Sequence, residues 1–413
     1  MSLEDRIATL ALQTFSSLPP KCKPRSQEWI PLSAIVLQTF DNNNDNGVCN
    51  LHLASLATGS KCIPTTTLPK STGLILHDSH SEILALRALN HFLLQDARRI
   101  LTDPEYTSPY LIYNNNNTNN PPFTINQSLK IHLFSTEPPC GDASMEFIIS
   151  AQEDPTPWSP PFPPTNPQNT LPGRSYFSTL SIVRRKPSRP DAPPTLSKSC
   201  TDKITLKQFT SILSSPSSLI ISPKNAYITT FTVPYNKYNP HGYARAFTPE
   251  GRLSKIPIHN SKDEEDEYKF SQITPTPLPP SFPFEHKYPF SKPPPQETSI
   301  KASNLSAVYI NHLTPITEVL ISGVKQGNAQ LSPGDRKGSV VCRKKAWMLL
   351  RQVTDLLPEQ YNDLKDKVES CGSYRELKDI DLYQTQRRRE MKRLVTDALN
   401  GWERNIGDDD WGI

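Results

Sequence analysis

Two short motifs, each standing where a helix is predicted to begin, limit most strongly what this chain can fold into. The first places His80 and Glu82 directly before apolar residues that recur with helical spacing. The second places Cys140 after a predicted buried strand at 129–134, and the segment after it is predicted to form a second helix. A thiolate at a helix N-terminus is stabilised by the dipole and by free backbone N–H groups. The chain therefore needs an architecture that brings two helix N-termini to one point.

The residue types of the two motifs suit a metal-dependent reaction. A His-x-Glu pair followed by Pro-Cys is the pattern of zinc-dependent nucleobase deaminases, in which histidine and cysteine hold the metal. Glu82 lies in the first turn of the predicted helix that follows His80. It can therefore face a metal-bound water without binding the metal itself. We interpret His80 and Cys140 as metal ligands and Glu82 as the residue that moves protons.

The third metal ligand is left open by spacing alone. The usual pattern has a second cysteine three residues after the first, but Ala143 stands there. Catalytic zinc usually has three protein ligands, so either the site is inactive or the third ligand comes from elsewhere. Cys200 is the best candidate, because Lys203 nearby favours its thiolate and a new element begins directly after it. The alternative is a free, buried thiol.

Length and composition favour an intracellular protein with one large domain or two ordinary ones. The chain has 413 residues, 42 prolines and a formal net charge of +4, which does not by itself indicate nucleic-acid binding. Its seven cysteines lack regular spacing, which argues against a disulfide framework. Residues 1–18 form a charged amphipathic segment unlike a signal peptide, and no segment reaches transmembrane length. We expect a location in the nucleus, the cytoplasm or both.

Three segments in this order resemble the adenosine deaminases that edit RNA, namely residues 77–82, 139–144 and 199–203. The resemblance extends over about residues 29–402. It is closest to the eukaryotic branch that converts the adenosine beside the tRNA anticodon, at position 37, to inosine. Ser144 favours this branch, because editors of double-stranded RNA carry arginine at the matching position.

The resemblance implies zinc-dependent hydrolytic deamination of adenosine to inosine in tRNA. It supplies Cys200 as the third zinc ligand beside His80 and Cys140, with Glu82 as the proton carrier. tRNA is then the expected partner, and we expect no membrane, no obligate protein partner and a monomeric state. Two alternatives remain: a deaminase of other structured RNA or of cytidine, and a catalytically inactive RNA-binding homologue. The intact Glu82 argues against an inactive homologue.

The same resemblance implies a second cofactor, an inositol hexakisphosphate buried as a structural group. Two pairs of residues four apart support it, Tyr374 with Lys378 and Tyr383 with Arg387. Residues at this spacing share a helix face, and basic side chains with tyrosine hydroxyls suit clustered phosphates. By resemblance, Asp78 and Lys203 form a hydrogen-bond relay from this group to the metal. The family carries a second arginine where Leu86 stands. The implied contact residues are Asp78, Arg87, Lys203, Arg343, Tyr374, Lys378, Tyr383, Arg387 and Trp402.

A loop at residues 59–62 suggests a substrate contact. Its sequence is Gly-Ser-Lys-Cys, and a similar Gly-Thr-Lys-Cys loop touches the target nucleotide in the family. Ser60 and Lys61 thereby become candidate substrate-binding residues. The alternative is a plain surface turn.

The order of predicted elements indicates an α/β fold. We expect a cytidine-deaminase-like core with a mixed sheet flanked by helices, extended by a helical C-terminal part around the buried inositol hexakisphosphate. A hairpin is predicted from the strand-like runs at 35–37 and 51–56 around the turn at 41–47. Residues 1–413 are taken as a single adenosine-deaminase (editase) domain. Three asparagine- or proline-rich segments are expected to be loop insertions: 114–120, 154–172 and 272–295.

Overall fold

A mixed β-sheet forms the centre of the computed structural model. The described residues are 1–40, 49–115, 121–152, 171–173, 176–186, 192–257, 268–283, 289–291, 300–327 and 334–413. The strands within them are β1 Glu28–Trp29, β2 Leu32–Phe40, β3 Cys49–Thr58, β4 Ser60–Cys62, β5 Asp78–His80, β6 Leu111–Tyr113, β7 Phe123–Ile125, β8 Lys130–Ser135, β9 Leu171–Pro172, β10 Arg184–Arg185, β11 Ile221–Ser222, β12 Thr230–Val233, β13 Thr274–Pro277, β14 Lys301–Ala302, β15 Leu305–Ile310, β16 Ile316–Ile321 and β17 Val324–Lys325.

The central sheet has eight strands in the order β13-β12-β8-β2-β3-β15-β16-β17. Strand β12 runs parallel to both β8 and β13, whereas the pairs from β8 through β2 to β17 are antiparallel. The predicted mixed sheet is therefore confirmed. The predicted hairpin is also present, as β2 and β3 pair from Leu32↔Thr58 to Phe40↔Cys49. Its turn at 41–47 lies outside the described residues.

Helices cover both faces of this sheet and continue into the C-terminal part. Their bounds are α1 Leu3–Ser17, α2 Ser81–Thr102, α3 Met145–Ser150, α4 Cys200–Thr210, α5 Pro240–Phe247, α6 Arg343–Asp355, α7 Asn362–Glu369, α8 Tyr374–Asp379 and α9 Tyr383–Ala398. None of the helices in the described part of the chain is long and apolar enough to cross a membrane.

The alternation of side chains along β2 explains why α1 and α2 lie on opposite faces. Ala34 and Val36 point into one apolar cluster with α1, whereas Ile35 and Leu37 point into the other with α2. Successive strand residues face opposite sides of a sheet, so an apolar run such as this one is buried on both sides. Burial of these strands places the start of α2, and with it His80, against the sheet.

The C-terminal helices extend the core on the side of α2. Helix α6 contacts α2, and α9 contacts α4. The chain then returns so that Trp411 stacks on Tyr374 with ring centroids 4.8 Å apart. Three residues earlier, a carboxylate oxygen of Asp408 lies 2.6 Å from Nε2 of His77. The final stretch of the chain therefore contacts the residue directly before β5, the strand that ends at His80.

Two of the three predicted loop insertions contain short strands, which corrects the predictions for 154–172 and 272–295 in part. In the segment 272–295, residues Thr274–Pro277 form β13 at the edge of the central sheet. Its prolines alternate with threonines, so the missing N–H groups can fall on the open side of an edge strand. Within 154–172, residues Leu171–Pro172 form β9, and 154–170 lie outside the described residues. Within 114–120, the described Asn114 donates to Thr124 over 2.8 Å, and 116–120 lie outside.

Candidate active site

Three separate stretches of chain bring His80, Cys140 and Cys200 together. Nδ1 of His80 lies 3.7 Å from Sγ of Cys140 and 3.5 Å from Sγ of Cys200. One ligand atom from each residue lies within 4.8 Å of the others. The structure thus gathers the three residues expected to bind zinc, although Cys140 and Cys200 are 60 positions apart in the chain.

The spacing of these atoms fits a tetrahedral zinc ion. Zn–S bonds of ~2.3 Å and Zn–N bonds of ~2.0 Å place sulfur and nitrogen ligands about 3.5 Å apart. The two sulfur–nitrogen distances, 3.7 and 3.5 Å, match that value. Three protein ligands leave the fourth position of a catalytic site open for water. The donor set therefore suits the implied metal.

The secondary structure around the two thiols differs from the sequence prediction. Cys140 was expected to begin a helix, but Gly141 and a 3₁₀ turn at Asp142–Ser144 separate it from α3. Cys200 is the thiol at a helix N-terminus, because it begins α4 behind the Ser199 cap. Ser144, whose identity favoured the tRNA branch, is buried and donates to the carbonyl of Gly141 over 3.1 Å.

Without metal, the thiol of Cys140 and the imidazole of His80 lie close enough to influence each other's protonation. A hydrogen bond from Cys200 and the charges nearby hold the pKa of Cys140 well below its usual range despite burial. Burial and Lys186 disfavour the imidazolium of His80, but the Cys140 thiolate and hydrogen bonds to Cys140 and Cys62 raise its pKa to about 10. Binding of a metal releases such protons, because the ligands bind as neutral imidazole and thiolate.

Glu82 has the surroundings expected of a proton carrier. It lies in the first turn of α2 with only 4% of its surface exposed. Burial raises its pKa, which brings a carboxyl group nearer to the pH at which it can both accept and donate a proton. The hydroxyl of Ser81 donates to Oε2 of Glu82 over 3.3 Å. The same hydroxyl oxygen lies 2.8 Å from the hydroxyl oxygen of Ser33 on β2, which connects the start of α2 to the sheet. Glu82 is absent from the ligand set formed by His80 and the two cysteines.

Asp78 is the centre of a buried ion-pair network beside the ligands. Nζ of Lys186 lies 3.0 and 2.8 Å from its two carboxylate oxygens and 3.2 Å from Sγ of Cys200. Lys203 and Ser197 also donate to Asp78. Burial alone would raise the pKa of Asp78, but Lys186 and Lys203 hold it well below its usual range. The expected contact between Asp78 and Lys203 is present, whereas Lys186 was not predicted.

Ser60 and Lys61 lie next to the metal-ligand motif. Strand β4 pairs with β5 so that Ser60 faces His80 and Lys61 faces Ser79. Both residues are partly exposed. Because antiparallel partners have side chains on the same face, Ser60 shares a face of the hairpin with His80. These positions are compatible with the predicted role in substrate binding.

A second group of basic residues surrounds the start of the helical C-terminal part. Burial and the nearby guanidinium of Arg343 lower the pKa of Arg87. Burial and the nearby guanidinium groups of Arg388 and Arg87 lower the pKa of Lys207 to about 7. The Nε atoms of Arg87 and Arg388 are buried and have no hydrogen-bond partner among the described residues. We call Arg87, Lys207, Arg343 and Arg388 the internal basic cluster.

The other predicted polyphosphate contacts are gathered only in part. The guanidinium of Arg343 lies 5.9 Å from the ring of Tyr374, and Nζ of Lys378 lies 5.8 Å from that ring. Asp408 pairs with Arg343 over 3.2 Å, and Asp409 pairs with Lys378 over 2.6 Å. On α9 and just beyond it, Tyr383 is 59% exposed, Arg387 pairs with Glu390, and the ring of Trp402 faces Lys198.

Lys207 and Arg388 were not predicted as members of this cluster. Arg388 stands in the basic run Arg387-Arg388-Arg389 of α9. It donates to the carbonyl of Leu213 over 3.1 Å, so this member of the run points toward the protein. Arg389 does lie on the exposed side. Helical spacing relative to the buried Thr385 could have indicated that Arg388 points inward.

Comparisons with known proteins agree with this geometry. The family model described as the adenosine-deaminase (editase) domain matches residues 55–406. A protein of Schizosaccharomyces pombe named tRNA-specific adenosine deaminase 1 is 32% identical over 98% of this chain and 95% of its own length. Proteins of the same name from Saccharomyces cerevisiae and Drosophila melanogaster are each 32% identical, over 51% and 48% of this chain and 54% and 47% of their own lengths. The chain belongs to the adenosine-deaminase (editase) domain family.

Proposed function

We propose that this chain is a zinc-dependent hydrolase that converts adenosine to inosine in tRNA. The observation that carries the proposal is the convergence of His80, Cys140 and Cys200 beside a buried Glu82 that stays out of the ligand set. Similarity over nearly the whole length to a relative named as tRNA-specific supports tRNA as the substrate. We further propose the adenosine at tRNA position 37, beside the anticodon, as the target, because residue 144 is the serine expected of the tRNA branch.

The residues divide the chemistry between them. His80, Cys140 and Cys200 would hold Zn²⁺, which when bound lowers the pKa of water so that hydroxide is available at neutral pH. Glu82 accepts the first proton of the attacking water and delivers it to N1 of the adenine ring. It then takes the second proton from the oxygen newly bound at C6 and passes it to the departing amine. Water and adenosine are consumed, and inosine and ammonia are formed. Ser60 and Lys61, beside His80 on the β4–β5 hairpin, are proposed to contact the target nucleotide.

The proposal predicts that Glu82→Gln abolishes turnover but leaves the metal in place. The amide keeps the size of the side chain but cannot carry the proton, and proton transfer contributes about 10²–10⁴-fold to such reactions. The measurement is inosine formation in a panel of unmodified tRNAs, with zinc content determined on the same samples. Glu369→Gln, at an exposed position on α7, is the matched control and should keep full activity.

Each outcome of this assay separates the alternatives. Inosine in structured RNA but not in tRNA would indicate an editor of other RNA. RNA binding without inosine formation by the parent protein would indicate an inactive homologue. Full activity of Glu82→Gln would refute the assigned role, and an active parent protein without zinc would refute the assigned metal.

We also propose that the internal basic cluster holds inositol hexakisphosphate as a structural cofactor. Clustered buried cations are strongly destabilising without counter-charge, and the lowered pKa of Lys207, to about 7, reflects such crowding together with burial. The buried Nε atoms of Arg87 and Arg388 are two donors for which the described part of the chain supplies no acceptor, and phosphate oxygens suit arginine donors. The network from Lys203 to Asp78 would connect this cofactor with the metal ligands.

The polyphosphate proposal is tested by acid release and mass spectrometry of the small molecules bound to purified, active protein. We expect about one inositol hexakisphosphate per chain, and a lower content in Lys207→Met because that variant removes one of the clustered cations. Arg389→Met, on the exposed side of α9, is the matched control and should leave the content unchanged. Active protein that releases no polyphosphate would contradict the proposal.

A further inference from the structure

Cys62 lies directly opposite Asp78 where β4 pairs with β5. In the same ladder Ser60 lies opposite His80, so the side chains of Cys62, Asp78 and His80 share one face of the hairpin. Sγ of Cys62 is 3.4 Å from Oδ1 of Asp78 and is placed to donate to it. The cysteine is partly exposed and forms no disulfide. Nothing in the ligand set of His80, Cys140 and Cys200 requires a further thiol at this place.

The Cys62 side chain also reaches the imidazole of His80. One ring nitrogen of His80, Sγ of Cys62 and a carboxylate oxygen of Asp78 all lie within 4.8 Å of one another. Nδ1 of the same ring faces the two ligand thiols at 3.7 and 3.5 Å. An imidazole that binds a metal through one nitrogen is normally oriented by a partner of the other, most often a carboxylate or a carbonyl.

The nearby carboxylate of Asp78 is already committed to other donors. It accepts from Lys186, Lys203 and Ser197, and its Oδ1 also accepts from the backbone N–H of His80 over 3.0 Å. Cys62, Asp78 and His80 do not make a second metal site, because the ammonium groups of Lys186 and Lys203 occupy the carboxylate oxygens of Asp78 that a cation would need. Cys62, whose sulfur can still accept a hydrogen bond, is therefore a side chain beside His80 that can orient the ring.

We propose that Cys62 is a positioning residue. Its thiol holds the His80 imidazole so that Nδ1 is presented to the metal, and the same thiol links the imidazole to Asp78. The inference rests on the zinc site proposed above. Cys62 itself binds neither metal nor substrate in this role. Loss of an outer partner of a metal-binding histidine typically lowers metal affinity by about 10–100-fold. The expected effect of removing the thiol is therefore faster loss of zinc rather than loss of the fold.

The test compares zinc release to a chelator from the purified parent protein and from Cys62→Ala and Cys62→Ser. We expect Cys62→Ala to lose zinc about tenfold faster or more. Cys62→Ser should fall between the two, since a hydroxyl keeps a donor and an acceptor at a slightly shorter reach. Cys371→Ser is the matched control, because this partly buried thiol donates to the carbonyl of Lys367 on α7 and should release zinc like the parent. Thermal unfolding of the zinc-free forms should be alike.

The outcomes distinguish this inference from the proposed function. A parent protein that carries zinc and forms inosine, while Cys62→Ala releases zinc at the parental rate, would overturn only the role of Cys62. Equal destabilisation of the zinc-free forms of both Cys62 variants, with unchanged zinc release, would show a packing role and also overturn it. A parent protein without zinc would overturn the proposed function and this inference together. If Cys62→Ala does not fold, faster release from Cys62→Ser than from Cys371→Ser supports the role, and equal release refutes it.

Discussion

His132 is a single buried residue that makes stability depend on pH. It lies on β8 with 1% of its surface exposed. Nε2 lies 3.0 Å from Oε1 of Gln38, an acceptor, so it donates, and Nδ1 lies 2.8 Å from the hydroxyl of Thr230. Both nitrogens are thus satisfied with the ring neutral. Burial lowers the pKa of His132 to about 4.

We predict that the free energy of unfolding falls as the pH is lowered from about 6.5 to about 4, and that His132→Gln makes this fall shallower. The unfolded chain takes up a proton on His132 near pH 6.5, whereas the folded chain does not until about pH 4. The stabilising contribution is therefore complete above pH 6.5 and lost below it, at up to about 1.4 kcal/mol per pH unit for one proton. Urea unfolding across this pH range measures the slope, and identical slopes for parent and variant would contradict the prediction.

Short motifs could indicate candidate site residues, whereas residues that join the site through tertiary contacts could not be found from the sequence. The positions of His80, Glu82 and Cys140 followed from local spacing. Lys186 did not, because it ends the basic run Arg184-Arg185-Lys186 and meets Asp78 only across 108 positions of chain. A charge run indicates a solvated surface until the fold shows which member points inward.

The turn after Cys140 shows how one backbone conformation joins two elements. Gly141 has φ of 108° and ψ of −149°, a region that only glycine occupies without strain. A Cβ on Gly141 would lie 2.2 Å from Oγ of Ser199. That hydroxyl caps α4 by accepting from the backbone N–H of Asp202 over 3.1 Å. The absence of a side chain at Gly141 therefore allows the two cysteine-bearing segments to approach each other.

We predict that Gly141→Ala destabilises the protein and speeds zinc loss. Backbone strain of this kind costs about 1–3 kcal/mol, and displacing Ser199 disturbs the start of α4, where Cys200 lies. Urea unfolding and zinc release to a chelator are the measurements. Gly334→Ala is the matched control, because a Cβ there meets no atom within 4 Å. A Gly141 variant as stable and as zinc-retentive as this control would contradict the prediction.

Helices and strands with a clear periodicity of apolar residues were predicted. Elements whose conformation depends on contacts with another segment were not. The apolar spacing after His80 predicted α2, and the turn residues between two apolar runs predicted the β2–β3 hairpin. The stretch Thr-Pro-Thr-Pro of β13 gave no such indication, because proline usually excludes a strand. It forms one only because β12 offers a parallel edge. The beginning of α3 was misplaced for a similar reason, since Gly141 and a 3₁₀ turn follow Cys140.

For the whole molecule, the order of the predicted elements indicated the class of fold but not the arrangement of strands. A mixed α/β order was expected, yet the position of β12 between β8 and β13 depends on pairings between distant segments. The net charge of +4 was equally uninformative, because it averages over an internal basic cluster and an acidic stretch at Asp408, Asp409 and Asp410. The single-domain organisation stays a prediction.

The contact between His77 and Asp408 joins residues that are 331 positions apart. A ribosome that has already synthesised β5 and α2 must complete nearly the whole remaining chain before this carboxylate becomes available. Until then, His77, Arg343 and the backbone N–H of Gly73 lack the oxygens that Asp408 supplies. The contacts of Asp408 with His77, Arg343 and Gly73 can therefore form only late in synthesis. A fusion partner for recombinant expression is better attached to the N-terminal side.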